Sequence, residues 1–152
     1  MSLHLRELTQ GECYEVLEHA RFGHLACCRN GQPYVAAVYF AFSGNMAYSF
    51  TMPGKKLSWM RENEKVCLQV EQQSNTGGWT SVVVDGVFEE FPDNDLWRSE
   101  RIRAWSLLQA QPDWWEVGSL KPSDQPTLFE PPHVFFGILV HTVSGRRASR
   151  ED

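Results

Sequence analysis

The stretch TMPGKKLSWMREN, residues 51–63, combines the end of a strand, a turn and the start of a helix. A Pro-Gly pair interrupts the chain, and apolar residues at helical spacing follow it. Lys55 and Lys56 therefore fall in the first turn of the predicted helix, where free N–H groups carry partial positive charge and a cation costs roughly 0.3–1 kcal/mol. Two explanations stay open: both lysines are solvated, or they bind a phosphate together with the helix N–H groups and the Thr51 hydroxyl.

Segments with the composition of β-strands lie on both sides of this helix. An Asn30-Gly31 pair and a Ser-Gly-Asn turn at 43–45 join the first three of them, which predicts an antiparallel meander. Gly86 predicts a bulge or bend in the fifth. The six predicted strands are FGHLACC (22–28), PYVAAVYFAF (33–42), MAYSFTM (46–52), KVCLQVEQ (65–72), WTSVVVDGVFEEF (79–91) and HVFFGILVHTV (133–143).

Two more helices are predicted, one before the first strand and one after the fifth. Residues 9–20 begin with a capping box formed by Thr9 and Glu12, and apolar residues then recur at helical spacing. A Pro-Asp pair introduces a second helix over 94–110. Residues 111–133 hold five of the eight prolines and predict an irregular loop. The end of the chain, 144–152, is charged. We therefore predict one domain over 1–147 and a frayed tail at 148–152.

The element order is α-β-β-β-α-β-β-α-loop-β, which excludes a doubly wound parallel sheet. The strands at 33–42, 79–91 and 133–143 are long enough to bend, and closing the sheet would remove the exposed edges of these apolar strands. The sequence therefore predicts a small closed barrel of antiparallel strands with peripheral helices.

The composition of the chain excludes some classes of function. Of 152 residues 42% are hydrophobic and 22% charged, and the formal net charge is −5, which argues against a general nucleic-acid surface. No apolar stretch is long enough to span a membrane, and the N-terminus has no apolar signal core, so we expect a cytoplasmic protein. The four cysteines and five histidines show no spacing suited to a metal, and we expect none.

A known family resembles this succession of segments. GHLACCRNGQPYVAAVYFAF, YSFTMPGKKLSWMRENEKVCLQVE, WTSVVVDGVFEEF and a closing VSGRR resemble the pyridoxamine 5′-phosphate oxidase-like FMN-binding split-barrel superfamily, nearest its nitroimidazole-resistance subgroup. The resemblance covers roughly residues 8–147. It implies a mainly β (α+β) fold, a six-stranded antiparallel split β-barrel with peripheral helices. It also implies a homodimer with one FMN in each of two clefts at the subunit interface.

The resemblance further implies which residues hold the FMN. Its phosphate would lie against Thr51 and Lys56, with Lys55 as a second cation. The other implied contacts are Ala37, Val38, Tyr39 and Phe50 along the isoalloxazine ring, Ser81 as a polar contact, and Trp115 or Arg146 from the partner chain. No catalytic residue is indicated.

Structural roles stay open for several of these residues. Val38 and Phe50 have the character of core residues, and Trp115 with its neighbour Trp114 would serve equally to pin the proline-rich loop onto the barrel. Arg146 lies in a charged segment typical of a solvated end. His24, outside the implied set, has the position of a hydrogen-bonded strand residue.

Three functions remain compatible with the sequence. The first is a flavin-dependent oxidoreductase that acts on a small molecule, which fits the lack of a catalytic triad because the flavin carries out the redox chemistry. The second is a flavin-binding protein without turnover, for storage or sensing. The third keeps the barrel but binds haem or a deazaflavin. The basic and aromatic residues that hold substrate in true pyridoxamine phosphate oxidases have no equivalent here, which disfavours oxidation of vitamin B6.

Overall fold

A computed structural model describes residues 2–111 and 133–150 of the chain. The described residues form eight strands and three helices. Their order is β1 (Leu3–Glu7), α1 (Gln10–His19), β2 (Phe22–Arg29), β3 (Gln32–Tyr39), β4 (Ala41–Ser43), β5 (Met46–Thr51), α2 (Lys55–Glu62), β6 (Lys65–Gln73), β7 (Trp79–Phe91), α3 (Arg98–Gln109) and β8 (Val134–Arg150).

The strands build one antiparallel sheet in the order β3-β2-β6-β7-β8-β5-β4, and β1 pairs with the last residues of β8. The two ends of this order, β3 and β4, are joined in the chain by Phe40 alone. The sheet must therefore curl until its ends meet, which makes a barrel. A mainly β fold with an antiparallel barrel and peripheral helices is confirmed, with eight strands where six were predicted.

The predicted strand at 33–42 is divided in the structure. Phe40 is only 1% exposed and sits at a corner, where its N–H donates to the carbonyl of Arg21 at 2.9 Å. Before the corner β3 pairs with β2, and after it β4 pairs with β5. The two antiparallel pairings of the predicted meander are confirmed, but its middle strand is divided at Phe40, where the curvature of the barrel makes the chain change partners.

Pairing between the two ends of the chain adds structure that was not predicted. All five residues of β1 are exposed, so no burial pattern marks this strand in the sequence. It pairs with residues 146–150 of β8, which runs to Arg150. Residues 148–150 thus lie in the sheet, where a frayed tail was predicted. The third helix is shorter than predicted, beginning at Arg98, because Asn94 and its neighbours form a turn before it.

The core has two parts, one on each face of the curved sheet. The larger fills the barrel interior, and the smaller lies between the sheet and α3. Alternation along β5 divides its residues between them: Ala47 belongs to the interior, whereas Tyr48 and Phe50 belong to the cluster under α3. The predicted irregularity at Gly86 is confirmed by a shift of register between β7 and β8 at that residue.

The helices cover the barrel as their sequence patterns require. The capping box of α1 is present, with the Thr9 hydroxyl and the Glu12 side chain each bonded to the other residue's backbone N–H. The helix α2 buries Leu57 and Met60 against the interior and leaves its polar side outward. Its first turn lies at the end of β5, which places the two lysines beside the barrel wall.

Candidate functional site

An opening in the barrel wall separates β3 from the segment formed by β5 and the start of α2. At one end the Ser49 Oγ donates to the Tyr39 carbonyl at 2.7 Å, and at the other the Lys55 Nζ lies 4.5 Å from the Tyr34 ring centre. No strand pairing joins β3 to β5 within the part of the chain that the structure describes. We call this opening the β3–β5 cleft and define it by residues 34–39 and 49–56.

Among the described residues, the β3 side of the cleft is a strand edge whose backbone groups pair with no second strand. The Phe40 N–H bonds to Arg21, so Val38, two residues away, directs its N–H and C=O toward β2 as well. The alternate residues, Ala37 and Tyr39, direct theirs away from β2. The Tyr39 carbonyl bears this out, since it accepts the Ser49 bond across the cleft. A flat ligand with donors and acceptors along one edge can pair with such an edge.

The side chains of the predicted ring contacts divide between the two faces of the sheet. Val38 is 3% exposed and belongs to the interior core, whereas Ala37 and Tyr39 lie half-buried on the outer face. Phe50 is buried under α3, with its ring centre 6.1 Å from that of Phe135. Phe50 and the adjacent Thr51 therefore point to opposite faces of β5. A ligand on one face of the strand can contact only one of these two side chains.

Lys56 is the cation whose surroundings suit an anion. Its side chain is half-buried at the start of α2, and this burial lowers the pKa of Lys56 although the nearby Cys27 thiol acts in the opposite direction. No carboxylate of residues 2–111 or 133–150 pairs with it. The buried Thr51 lies close by in sequence, with its hydroxyl donating to the Met52 carbonyl at 3.0 Å. A bound anion would stabilise the charged form of Lys56 that burial disfavours.

Lys55 has a different partner. Its Nζ lies over two aromatic rings, 4.5 Å from the centre of Tyr34 and 4.7 Å from that of Trp59. The Arg29 guanidinium also lies over Trp59, at 4.9 Å. Cation–π contacts of this kind contribute about 0.5–1 kcal/mol at exposed sites, which offsets the cost of a cation at a positive helix end. Lys55 is thus held at the side of the cleft by aromatic rings.

The N-terminus of α2 itself is accessible and has no capping side chain. Gly54 stands at the cap position in extended backbone, and a Cβ added there would have only the Met52 carbonyl within 4 Å, at 3.9 Å. No acidic residue occupies the first turn. The N–H groups of this turn therefore offer donors and partial positive charge to an external anion.

Ser81 and Arg146 lie on the outer face of the sheet and are direct cross-strand partners. The Ser81 Oγ accepts a hydrogen bond from Gln69 Nε2 at 3.1 Å, and Gln69 Oε1 lies 3.3 Å from His24 Nδ1. His24 is in turn the partner of Ala37 on β3. Sequence reasoning did not include Gln69, because only the pairing of β2, β6 and β7 brings it next to Ser81. Trp115 lies outside the described residues.

Two surface concavities of about 290 and 340 Å³ lie away from the β3–β5 cleft. Both include Gln72 and Arg147, at the ends of β6 and β8 remote from α2. The cleft is an open strand edge, and the described residues of one chain do not enclose it. Within residues 2–111 and 133–150, no group of three or more His, Cys, Asp or Glu residues is arranged to hold a metal ion. None of the described helices has the length and apolar character that crossing a membrane requires.

The described residues form a curled antiparallel barrel that is open between β3 and β5, which is the architecture of the split-barrel class of proteins. The chain belongs to the pyridoxamine 5′-phosphate oxidase family, whose model matches residues 9–147. This match confirms the resemblance noted from the sequence.

Individual relatives extend the comparison. An uncharacterized protein of Rhizobium meliloti is 42% identical over 144 residues, 95% of each chain. The crystal structure of an FAD-binding protein from Mesorhizobium loti is similar with a TM-score of 0.80 and 45% identity, over 98% of this chain and 100% of that one. A candidate 5-nitroimidazole resistance protein from Bacteroides thetaiotaomicron has the same fold, with a TM-score of 0.72 and 14% identity over 99% of this chain and 93% of its own.

Proposed function

We propose that this protein binds a flavin nucleotide, FMN, in the β3–β5 cleft and uses it as an oxidoreductase acting on a small molecule. The observation that carries the proposal is the half-buried Lys56, without a carboxylate partner among the described residues, at the uncapped N-terminus of α2. This arrangement suits a phosphate dianion, which accepts hydrogen bonds from N–H groups and pairs with a cation.

The ring system fits the other side of the cleft. The isoalloxazine ring has several acceptor atoms along one edge, and the backbone N–H groups of Ala37 and Tyr39 can donate to them. Tyr39 and Ala37 also present half-buried side chains on the outer face. When bound, the flavin would supply the redox chemistry, and the residues of the cleft would bind and orient it.

The assembly belongs to the same proposal. The described residues leave the cleft uncovered on one side, and apolar side chains are exposed next to it, notably Val35 at 60% and Phe22 at 43%. A second copy of the chain placed over this face would bury these residues and enclose the flavin. We therefore propose a homodimer with one FMN at each of two equivalent interface clefts, in which Arg146 and Trp115 are the candidate contributions of the partner chain.

The phosphate contact is tested by comparing FMN with riboflavin, which lacks the phosphate. Lys56→Ala is expected to weaken FMN binding by about 1.5–3 kcal/mol, the scale of a charge-assisted hydrogen bond, and to leave riboflavin binding nearly unchanged. Lys55→Ala is the matched control and is expected to have a smaller effect, because its ammonium contacts aromatic rings. Titration of both ligands by flavin fluorescence measures this. Equal losses for the two ligands in Lys56→Ala would contradict a phosphate contact.

FAD is the second candidate ligand, favoured by the 45% identical FAD-binding protein of Mesorhizobium loti. FAD contains the whole of FMN, so Lys56 would bind the same first phosphate and the cleft would need additional contacts for the adenylate half. Titrating FMN and FAD side by side distinguishes them. FMN binding with equal or greater affinity supports the proposal, and a preference of about tenfold or more for FAD, about 1.4 kcal/mol, would replace it.

Turnover is tested by reduction of the bound flavin. The sequence has no GxGxxG turn between a strand and a helix, so a nicotinamide nucleotide would enter only transiently at the open side of the cleft. We expect slow but measurable reduction by NADH or NADPH under anaerobic conditions, followed as loss of the flavin's visible absorbance. If no nicotinamide or other physiological donor reduces the flavin within minutes, a storage or sensing role replaces the oxidoreductase.

A further inference from the structure

A row of hydrogen-bonded side chains crosses the outer face of the sheet beside the β3–β5 cleft. Gln69 Nε2 donates to Ser81 Oγ at 3.1 Å, and Gln69 Oε1 lies 3.3 Å from His24 Nδ1. The three residues lie on the neighbouring strands β2, β6 and β7 and are half-buried. We call His24, Gln69 and Ser81 the polar relay. It has no part in the proposed phosphate contact.

The polar relay favours one tautomer of His24. Because Gln69 directs its amide N–H toward Ser81, the atom that it presents to His24 is its carbonyl oxygen, which can only accept. In this arrangement Nδ1 carries the proton of the neutral ring, and Nε2 is left as an acceptor. A half-buried acceptor held in one orientation suits a ligand that presents an N–H or O–H donor.

Strand register puts this acceptor next to the proposed flavin position. His24 is directly opposite Ala37, so the two side chains project from the same face of the sheet. The Phe22 ring packs edge-on against both the His24 ring and the Tyr39 ring, with centres 5.8 and 5.2 Å apart. His24 is thus held by Gln69 on one side and by an aromatic ring on the other.

We propose that His24 is a flavin-binding residue, with Nε2 accepting a hydrogen bond from the ring imide N–H or from a ribityl hydroxyl. Gln69 and Ser81 keep the proton on Nδ1, so that Nε2 meets the ligand as an acceptor. This inference rests on the proposed flavin function and names a contact within it that neither the phosphate nor the β3 backbone provides.

The tautomer is tested without any ligand. Nitrogen-15 NMR of the flavin-free protein, with the His24 signals assigned by comparison with His24→Phe, is expected to show a protonated Nδ1 and an unprotonated Nε2. Gln69→Met is close in size and cannot accept from Nδ1, so we expect it to abolish this preference. A protonated Nε2 with unprotonated Nδ1 in the wild-type protein would overturn the inference.

The contact is tested by titrating FMN, riboflavin and lumiflavin. His24→Phe is expected to lower the affinity for FMN and riboflavin by the same factor, about three- to tenfold, the scale of one hydrogen bond. Lumiflavin has no ribityl chain, so an equal loss for it assigns the ring N–H as the donor, and no loss assigns a hydroxyl. Gln69→Met is expected to show the same pattern with a smaller loss. Glu71→Gln, at an exposed position on the same face of β6, is the control and is expected to change nothing.

The two proposals fail in different ways. If the wild-type protein binds FMN with a Lys56-dependent preference over riboflavin and His24→Phe binds equally well, the role of His24 is overturned and the proposed function stands. If the wild-type protein binds no flavin, both are overturned.

Discussion

Two adjacent residues of the same type have different surroundings in this protein, and the difference separates their roles. The Lys55 ammonium lies over the rings of Tyr34 and Trp59, which stabilise it as a cation without any anion. Lys56 lies further in, where burial lowers its pKa. A phosphate would therefore gain most from Lys56, because that ammonium has the least favourable surroundings when nothing is bound.

At the same scale, Glu12 gives the protein a defined sensitivity to acid. Arg6 donates two hydrogen bonds to its carboxylate, at 3.0 and 2.8 Å, and together with the Thr9 N–H lowers the pKa of Glu12 to about 2. A carboxylate with a lowered folded-state pKa stabilises the fold above its unfolded pKa, and this contribution is lost as the pH falls. The loss occurs between about pH 4.5 and about pH 2.

Glu12→Gln is expected to lower the Tm near neutral pH and to make the Tm fall less steeply than in the wild type between those two pH values. Thermal unfolding followed by circular dichroism over this range measures both effects. Glu15→Gln, on the same helix and without an ion pair to a described residue, is the control and should keep the wild-type slope. A wild-type slope in Glu12→Gln would show that the ion pair does not contribute.

At the scale of elements, the long strands are matched to the curvature of the barrel by local irregularities. At the register shift His141 of β8 has no opposite residue on β7 between Asp85 and Gly86, and this bulge lets β8 bend. A Cβ at Gly86 would come within 2.6 Å of the Leu139 carbonyl oxygen and 2.7 Å of Ile138 Cγ2, and the first of these is backbone that cannot move aside cheaply. The bulge therefore requires glycine because of close packing between the strands.

Gly86→Ala is expected to destabilise the protein by about 1–3 kcal/mol, the usual cost of overpacking. Gly11→Ala provides the opposite case, since nothing lies within 4 Å of a Cβ at Gly11 in α1, and alanine favours a helix over glycine by up to about 1 kcal/mol. Urea unfolding of the two variants should move the midpoint in opposite directions. A Gly86→Ala variant as stable as the wild type would mean that β7 and β8 move apart at this point with little loss of stability.

At the scale of the whole molecule, the proposed dimer follows from an exposed apolar face beside an open cleft. Val35 and Tyr39 lie on the same face of β3, and Phe22 lies opposite Tyr39 on β2. Apolar and aromatic residues grouped in this way are enriched where protein surfaces associate. The predicted dimer would therefore bury this face and the flavin together, so that assembly and cofactor binding depend on each other.

Val35→Glu is expected to convert the dimer to a 17.5 kDa monomer at micromolar concentration and to weaken FMN binding, because this side chain is 60% exposed in the single chain and would be buried in the dimer. Leu96→Glu, at a position 85% exposed just before α3, is the control and should remain dimeric. Sedimentation equilibrium with and without FMN measures the assembly. A wild-type protein that stays monomeric with FMN bound would contradict the dimer.

The features that could be predicted from the sequence depend on neighbours along the chain. The capping box of α1 involves residues three apart. The turn at Asn30-Gly31 depends on tolerance of positive φ, and both residues have positive φ, at 51° and 78°. The bulge was predicted from one glycine within a β-branched run. The two lysines at the start of α2 were likewise located by a turn and a helical spacing. Each of these signals is local, so the residues themselves carry it.

The features that could not be predicted depend on contacts between residues far apart in the chain. Curling of the sheet divides the strand at Phe40 and gives β3 and β4 different partners, and pairing of the two chain ends orders residues as far as Arg150. The same long-range pairing puts His24, Gln69 and Ser81 side by side. It also places Lys55 against aromatic rings, and it leaves Lys56 without a carboxylate partner among the described residues. Strand partners are chosen by the packing of the whole barrel, which no local pattern encodes.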